Sequence, residues 1–215
     1  MFKSTENIVI IGNGEDWTKN KIIHYCENAD YIIAADNGLS LLHRFNINPD
    51  LIIGDMDSVT PSLLQNYHNI PLNRYPVKKD FTDSELCIQK AVSMNPKKII
   101  LLAMTGNYFD HSYASIINLF RNYQSDIQME IITSNSVIFP VMEKMSLLQM
   151  KGRRFSLFPL CPVTQFTIVG ARYSFSKKDL AVTDYSISNV IIDDKLEIIF
   201  KEGKLFCVLF DRGFQ

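Results

Sequence analysis

Two carboxylates stand two residues apart in the run Gly54-Asp55-Met56-Asp57-Ser58. In a tight loop such a pair can share a hard cation, because magnesium takes oxygen ligands and fills the rest of its shell with water and substrate phosphates. Gly54 lets the backbone come close to a ligand, and Ser58 can donate to a phosphate. A solvated acidic turn has the same spelling. D-x-D loops also occur in metal-dependent nucleotide-sugar transferases, so the spacing alone names no reaction.

A second constellation is Lys79-Asp80-Phe81-Thr82-Asp83-Ser84-Glu85. Thr82 with Glu85 three residues on spells a capping box that opens a helix over 83–94, and Asp83 favours the positive end of that helix. Capping leaves Lys79 and Asp80 unexplained. A lysine beside a helix N-terminus suits a phosphate, and the acids suit its metal. A third is Thr105-Gly106-Asn107-Tyr108-Phe109-Asp110-His111, in which Asp110 is expected to cap a helix over 111–122. His111 there is either a base or a structural hydrogen-bonder. Tyr113, Ile116, Ile117 and Phe120 have the spacing of that helix's core face. Ser188-Asn189, within Ser186-Ile187-Ser188-Asn189, reads on its own as ordinary strand-end or turn chemistry.

These groups can act together only if the chain brings them to one place. Asn7–Ile11 is an apolar strand ending at Gly12-Asn13-Gly14, and a helix is expected over 17–28. Tyr31–Ala35 is a second strand, followed at once by Asp36-Asn37-Gly38 and a helix over 38–45. A third strand over 51–53 runs into Gly54-Asp55. Further on come a helix over 83–94, strands over 98–103 and 127–133, and the 111–122 helix between them. Continuous apolar strands alternating with helices predict a mostly parallel sheet covered on both faces. Ligands bind such sheets outside the carboxyl ends of the strands, so Asp36, Asp55, Asp57, Gly106 and Asp110 are expected to converge on one edge.

Near residue 136 the helical periodicity stops. Short β-leaning runs follow over 144–149, 154–159, 163–169, 187–193, 195–200 and 204–210, separated by turns such as Lys151-Gly152 and Glu202-Gly203-Lys204. The expected organisation is an α/β domain over 1–135 and an all-β domain, a sandwich or small barrel, over 136–215. No low-complexity linker divides the halves, which are expected to pack together.

Bulk properties narrow the field. A formal net charge of -1 and scattered lysines and arginines argue against a nucleic-acid binder, which needs a basic face. No apolar run approaches the roughly 18 residues of a membrane helix. Cys26, Cys87, Cys161 and Cys207 form no C-x-x-C pair and read as buried thiols in a reducing cytoplasm.

The order of the motifs resembles the thiamine pyrophosphokinase family. Asp36-Asn37-Gly38, Pro49-Asp50-Leu51-Ile52-Ile53-Gly54-Asp55-Met56-Asp57-Ser58, Lys79-Asp80-Phe81-Thr82-Asp83, Gly106 with Asp110-His111, and Ser188-Asn189 follow one another as the family's motifs do. Gly170-Ala171-Arg172-Tyr173 also looks like that family's glycine-led segment. The resemblance implies an N-terminal α/β catalytic domain and a C-terminal β-sandwich. It implies a homodimer that binds thiamine between subunits, and transfer of the terminal diphosphate of ATP to the hydroxyethyl oxygen of thiamine with release of AMP. On matching positions, Asp55, Asp57 and Asp83 would hold magnesium and the ATP phosphates, with Asp36 joining the acidic set. Asp80 and Thr82 would shape the phosphate-binding turn, and Ser188 and Asn189 would contact thiamine.

Three positions depart from the pattern. Asn37 stands where D-G-G has glycine, and is expected to preserve a left-handed turn. Tyr108 replaces a frequent arginine, leaving Lys79 as the substitute cation. The only tryptophan is Trp17, so a tyrosine or phenylalanine must serve where some members use a C-terminal tryptophan against thiamine. Phosphoryl-type transfer depends mostly on alignment and charge neutralisation. Asp83 and Asp110 are both candidates to accept the alcohol's proton. The competing readings are a D-x-D nucleotide-sugar transferase, which leaves Lys79 to Asp83 and the all-β half unused, and a non-catalytic thiamine or nucleotide sensor.

Overall fold

Runs such as Ile8-Val9-Ile10-Ile11 and Ile99-Ile100-Leu101-Leu102 are buried along their whole length, as strands covered on both faces must be. The computed structural model describes residues 5–78, 80–106 and 108–211. The chain divides into two compact units, Met1–Ser134 and Asn135–Gln215.

In the first unit, strands β1 (Asn7–Ile11), β2 (Tyr31–Ala35), β3 (Leu51–Gly54), β4 (Leu72–Arg74), β5 (Lys98–Leu102) and β6 (Gln128–Ile132) alternate with helices. The helices are α1 (Lys19–Glu27), α2 (Gly38–Arg44), α3 (Pro61–Asn66), α4 (Asp83–Val92) and α5 (Phe109–Arg121). The strands lie in the order β6-β5-β1-β2-β3-β4, all parallel. Chain order therefore reverses at β1, with β2 on one side and β5 on the other. At that switch point the loops after the two strands diverge and leave a crevice.

Threonines start three of the helices. Thr18, Thr60 and Thr82 accept from the N–H groups of Lys21, Leu63 and Glu85 at 3.4, 3.4 and 3.2 Å. Helix α3 is too short to express a periodicity, so Thr60-Pro61 was its sole signal in the sequence. The expected capping box at α4 is half present: Thr82 caps, but the buried carboxylate of Glu85 reaches Arg121 of α5 at 2.8 Å.

Two further expectations are corrected on α5. Tyr108, not Asp110, is its N-cap, and Asp110 is the second helical residue, exposed, accepting from the N–H of His111 at 2.9 Å. The face α5 buries is Ser115, Asn118 and Leu119, whereas Tyr113 is exposed and Ile116, Ile117 and Phe120 are half-buried. Ser115 turns inward because its hydroxyl bonds the carbonyls of Met104 and His111.

The second unit is a β-sandwich. One antiparallel sheet runs β12 (Ser186–Val190), β9 (Arg154–Pro159), β14 (Leu205–Phe210), β7 (Ser136–Val141); the other runs β11 (Phe175–Leu180), β10 (Val163–Val169), β13 (Lys195–Ile199), β8 (Met145–Leu148). Phe155, Leu157, Phe166, Ile168, Leu196, Ile198, Leu205 and Cys207 fill the core between them. The sequence pattern missed β7 and β11. Strand β11, Phe-Ser-Lys-Lys-Asp-Leu, is an exposed edge strand whose lysines hide any alternation. Cys26, Cys87 and Cys207 are buried thiols as expected; Cys161 is half-buried. No helix among the described residues is long and apolar enough to cross a membrane.

Removing Arg121 would strand the Glu85 carboxylate inside the α4–α5 contact. Breaking a fully buried pair costs about 3–5 kcal/mol, and the exposed guanidinium reduces this. Arg121→Ala is expected to lower stability by about 2 kcal/mol in chemical denaturation, and adding Glu85→Gln to recover part of the loss. An unshifted midpoint in the single variant would remove the pair from the account of this fold.

Candidate active site

The loops after β1, β2, β3 and β5 meet over a cavity of about 540 Å³ in the first unit, closed on one side by the start of α4 and on another by the first turns of α5. Four carboxylates line it: Glu15, Asp36, Asp55 and Asp83. Among the described residues that line it, His111 is the one group able to carry a positive charge.

Backbone geometry brings the acids together. The N–H of Asp36 donates to Ile53 at 2.8 Å, extending the β2–β3 pairing past the strand ends. Asp36 then turns with φ 47, and Met56 with φ 65. Gly54 permits the two loops to touch, since a Cβ there would lie 3.0 Å from the Cα of Asp36. Arg74 holds the β3 loop from outside through the carbonyl of Asp55 at 3.1 Å. One carboxylate oxygen from each of Asp36, Asp55 and Asp57 then lies within 4.8 Å of the others. Ser58 donates its hydroxyl to Oδ2 of Asp36, and Oδ1 of Asp36 is buried with no hydrogen-bond partner.

The cluster is electrostatically strained. Asp55, by hydrogen bond and by charge, holds the Asp57 carboxyl above its ordinary range, and Asp36 and Asp83 add to the effect. Behind the acids, the thiol of Cys87 on α4 is pushed well above its usual value by burial first, then by the charges of Asp83 and Asp36.

The sequence-derived set is thus partly regrouped. Asp55 and Asp57 stand together as expected, but the third member of the tight carboxylate triangle is Asp36; Asp83 lines the cavity beside it. Thr82, Gly106 and His111 also line the cavity. Asp80 is exposed beyond it, Asp110 does not face it, and Lys79 lies outside the described residues. The left-handed residue of the Asp36-Asn37-Gly38 turn is Asp36; Asn37, at φ -69, begins α2 and donates to Asn13 at 3.2 Å. Gly38 is required by contact, because a Cβ there would be driven into the carbonyl oxygen of Ile11. Trp17 packs against Phe45, with ring centroids 5.7 Å apart.

One wall went unrecognised in the sequence. Gly12, Asn13, Gly14 and Glu15 line the cavity beside Thr105 and Gly106, as one continuous wall. Gly14 donates to Ala103 at 2.6 Å and Asp16 to Thr105 at 3.0 Å, so the β1 and β5 loops continue the pairing of their strands. A Cβ at Gly106 would come within 2.6 Å of the Glu15 nitrogen. Glycines at 12, 14 and 106 were the available signal, legible only once β1 and β5 are neighbours.

In the second unit, Ser188 and Asn189 lie on β12 where its pairing with β9 slips. Ser188 has φ 55 and donates its N–H to the Ser156 hydroxyl at 3.0 Å. Asn189 is buried, with its amide bonded to the main chain of Tyr173.

Comparison with known proteins agrees with both halves. Residues 22–131, more than half of the chain, match the family model "Thiamin pyrophosphokinase, catalytic domain", and residues 142–205 match "Thiamin pyrophosphokinase, vitamin B1 binding domain". A thiamine pyrophosphokinase of Bacillus subtilis (strain 168) is 24% identical over 209 residues, covering 94% of this chain and 98% of that protein. The crystal structure of a Bacillus subtilis thiamine pyrophosphokinase superposes with a TM-score of 0.84 at 20% identity, over 96% of this chain and 100% of that one. The yeast thiamin pyrophosphokinase gives 0.82 at 15% identity, over 97% and 87%. At these identities the solved structures establish the fold, and the family models establish descent: the chain belongs to the thiamin pyrophosphokinase family of enzymes.

Proposed function

We propose that the chain transfers the terminal diphosphate of ATP to the hydroxyethyl oxygen of thiamine, releasing AMP, and that the acidic cavity of the α/β unit receives ATP with magnesium. The observation that carries this is the cavity's charge. Four carboxylates line it, and a polyphosphate would be repelled unless a cation reversed the sign of the site.

The donor set fits such an ion. Three carboxylate oxygens lie within 4.8 Å of one another, all are hard ligands, and Asp36 contributes a buried oxygen with no hydrogen-bond partner. Asp36, Asp55 and Asp57 would hold it, with Asp83 alongside. Magnesium bound there supplies charge neutralisation to the polyphosphate. The chain's own groups do the rest. Ser58 orients Asp36 through its hydroxyl, and so acts on the acid before any phosphate. Thr82 fixes the first turn of α4, which sets Asp83 at the cavity wall. Asp83 lines the cavity and Asp110 does not, which favours Asp83 as the acceptor of the alcohol's proton. The Gly12–Glu15 loop and Gly106 form the opposite wall.

Thiamine is assigned to the β-sandwich half, at the corner formed by Ser188 and Asn189, and two copies of the chain would share each site, α/β unit of one against β unit of the other. Exposed Val77, Phe81 and Tyr108 on the cavity's rim support a covering partner. The unpaired thiols support a cytoplasmic, reducing location.

Asp55→Ala and Asp57→Ala are each expected to slow thiamine diphosphate formation by on the order of a hundredfold or more, read by fluorescence of the product from ATP, magnesium and thiamine. Near-wild-type turnover would sink the metal assignment.

The raised Asp57 carboxyl gives a second handle. Folding penalises the ionised form, so the penalty is fully present above the folded pKa and vanishes as pH falls below the unfolded value. Without divalent cations, Asp57→Asn is expected to raise the melting temperature at pH 7, and the gain to shrink on acidification through the carboxylate range. Saturating magnesium should erase the gain at pH 7 by stabilising the wild type more. Equal melting temperatures without metal at pH 7 would refute the repulsion. Light scattering should report a dimer at working concentration; a monomer that is fully active would exclude a site shared between copies.

A further inference from the structure

One side chain stands between the two glycines of Gly12-Asn13-Gly14. Both glycines are pressed onto the β5 loop. Their N–H groups donate to Leu102 at 2.9 Å and Ala103 at 2.6 Å, and a Cβ at Gly12 would lie 2.6 Å from the Ala103 carbonyl oxygen. A Cβ at Gly14 would be driven into the carbonyl of Thr105. Asn13 is therefore the side chain that this turn presents, and it lines the acidic cavity.

Its orientation is set from the next loop. Asn37 stands at the N-cap of α2, where an asparagine ordinarily accepts from an N–H of the first turn, but its side chain makes no such bond. Its Nδ2 donates instead to Oδ1 of Asn13 at 3.2 Å, and its Oδ1 accepts from the hydroxyl of Ser40. The donors thus point one way, from Ser40 to Asn37 to Asn13, and each bond polarises the next. With its Oδ1 occupied, Asn13 offers the cavity its amino group. Asn37 directly follows Asp36, so this chain of amides runs beside the acid triangle.

We propose that the amide of Asn13 donates to a phosphate oxygen of ATP, and that Asn37 is a positioning residue that holds it in that orientation. This rests on the assignment of ATP and magnesium to the cavity. Donors for a polyphosphate are scarce there: four carboxylates line it, and His111 is the one group among its described residues able to carry a positive charge. A neutral amide supplies a donor without pairing with the acids that the cation needs. A hydrogen bond to a charged oxygen is roughly twice as strong as one between neutral groups. An amide already held by its carbonyl end loses little freedom in forming it.

The test is titration calorimetry of ATP with magnesium into wild type, Asn13→Ala, Asn13→Asp, Asn37→Gly and the Asn13→Ala/Asn37→Gly double variant, with steady-state kinetics and melting temperatures alongside. Asn13→Ala is expected to weaken ATP binding about tenfold and to leave the thiamine KM unchanged. Asn13→Asp keeps the acceptor for Asn37 and turns the donor into an anion, so it should weaken ATP at least as much. Asn37→Gly, a change well tolerated at an N-cap, should weaken ATP less than Asn13→Ala does, and the double variant should be no worse than Asn13→Ala. Wild-type affinity for ATP in Asn13→Ala or Asn13→Asp, or additive losses in the double variant, overturns the proposal. Equal losses in Asn13→Ala and Asn37→Gly would reduce the pair to a tether between loops and overturn it too. If Asn13→Ala fails to fold, the near-isosteric Asn13→Asp decides alone. Should the wild type bind ATP with magnesium yet form no thiamine diphosphate, the reaction falls, and the titrations still decide Asn13. Failure of the wild type to bind ATP with magnesium overturns both.

Discussion

The first unit is organised around a repulsion. Asp36, Asp55 and Asp57 belong to loops that would separate if their charges alone decided the matter, and Asp83 adds a fourth charge nearby. They stay together because neutral, short-range forces hold their backbones. Parallel pairing of β2 with β3 continues into the N–H of Asp36, Gly54 admits the neighbouring loop, and Arg74 holds the carbonyl of Asp55. The apolar strands beneath, buried at every position but the first residues of β1 and β2, anchor those loops in a packed core.

The same logic explains how little of the site depends on helix chemistry alone. α4 and α5 begin at the cavity, yet Thr82 and Asp110 each already take one N–H of their first turns. What α4 contributes is Asp83, and what α5 contributes is a wall that carries His111 and Tyr108. The Glu85–Arg121 pair ties those two helices to each other on the side away from solvent for the carboxylate, so the two walls are fixed together.

Much of this was legible in the residues. Strands β1, β2, β3 and β5 were evident as apolar runs, and the acids after them were evident as strand-end groups. Three kinds of feature were not. Exposed edge strands such as β4 and β11 carry no alternation because one face has no core to meet. The buried polar face of α5 follows from Ser115 bonding Met104, a tertiary contact that no helical period encodes. The Gly12–Glu15 wall depends on β1 lying beside β5, about ninety positions away in the chain. The sequence points to Asn37 as the residue that bends, whereas the bend falls on Asp36, whose short polar side chain tolerates it.

Cys87 is buried behind the acids, and their charge makes its thiolate still harder to form. Nucleophilic attack by sulfur requires the thiolate. Sulfur at the acidic core of the first unit is therefore a disfavoured nucleophile, by burial first and by the neighbouring carboxylates second, whereas Cys161 of the other unit is half-buried.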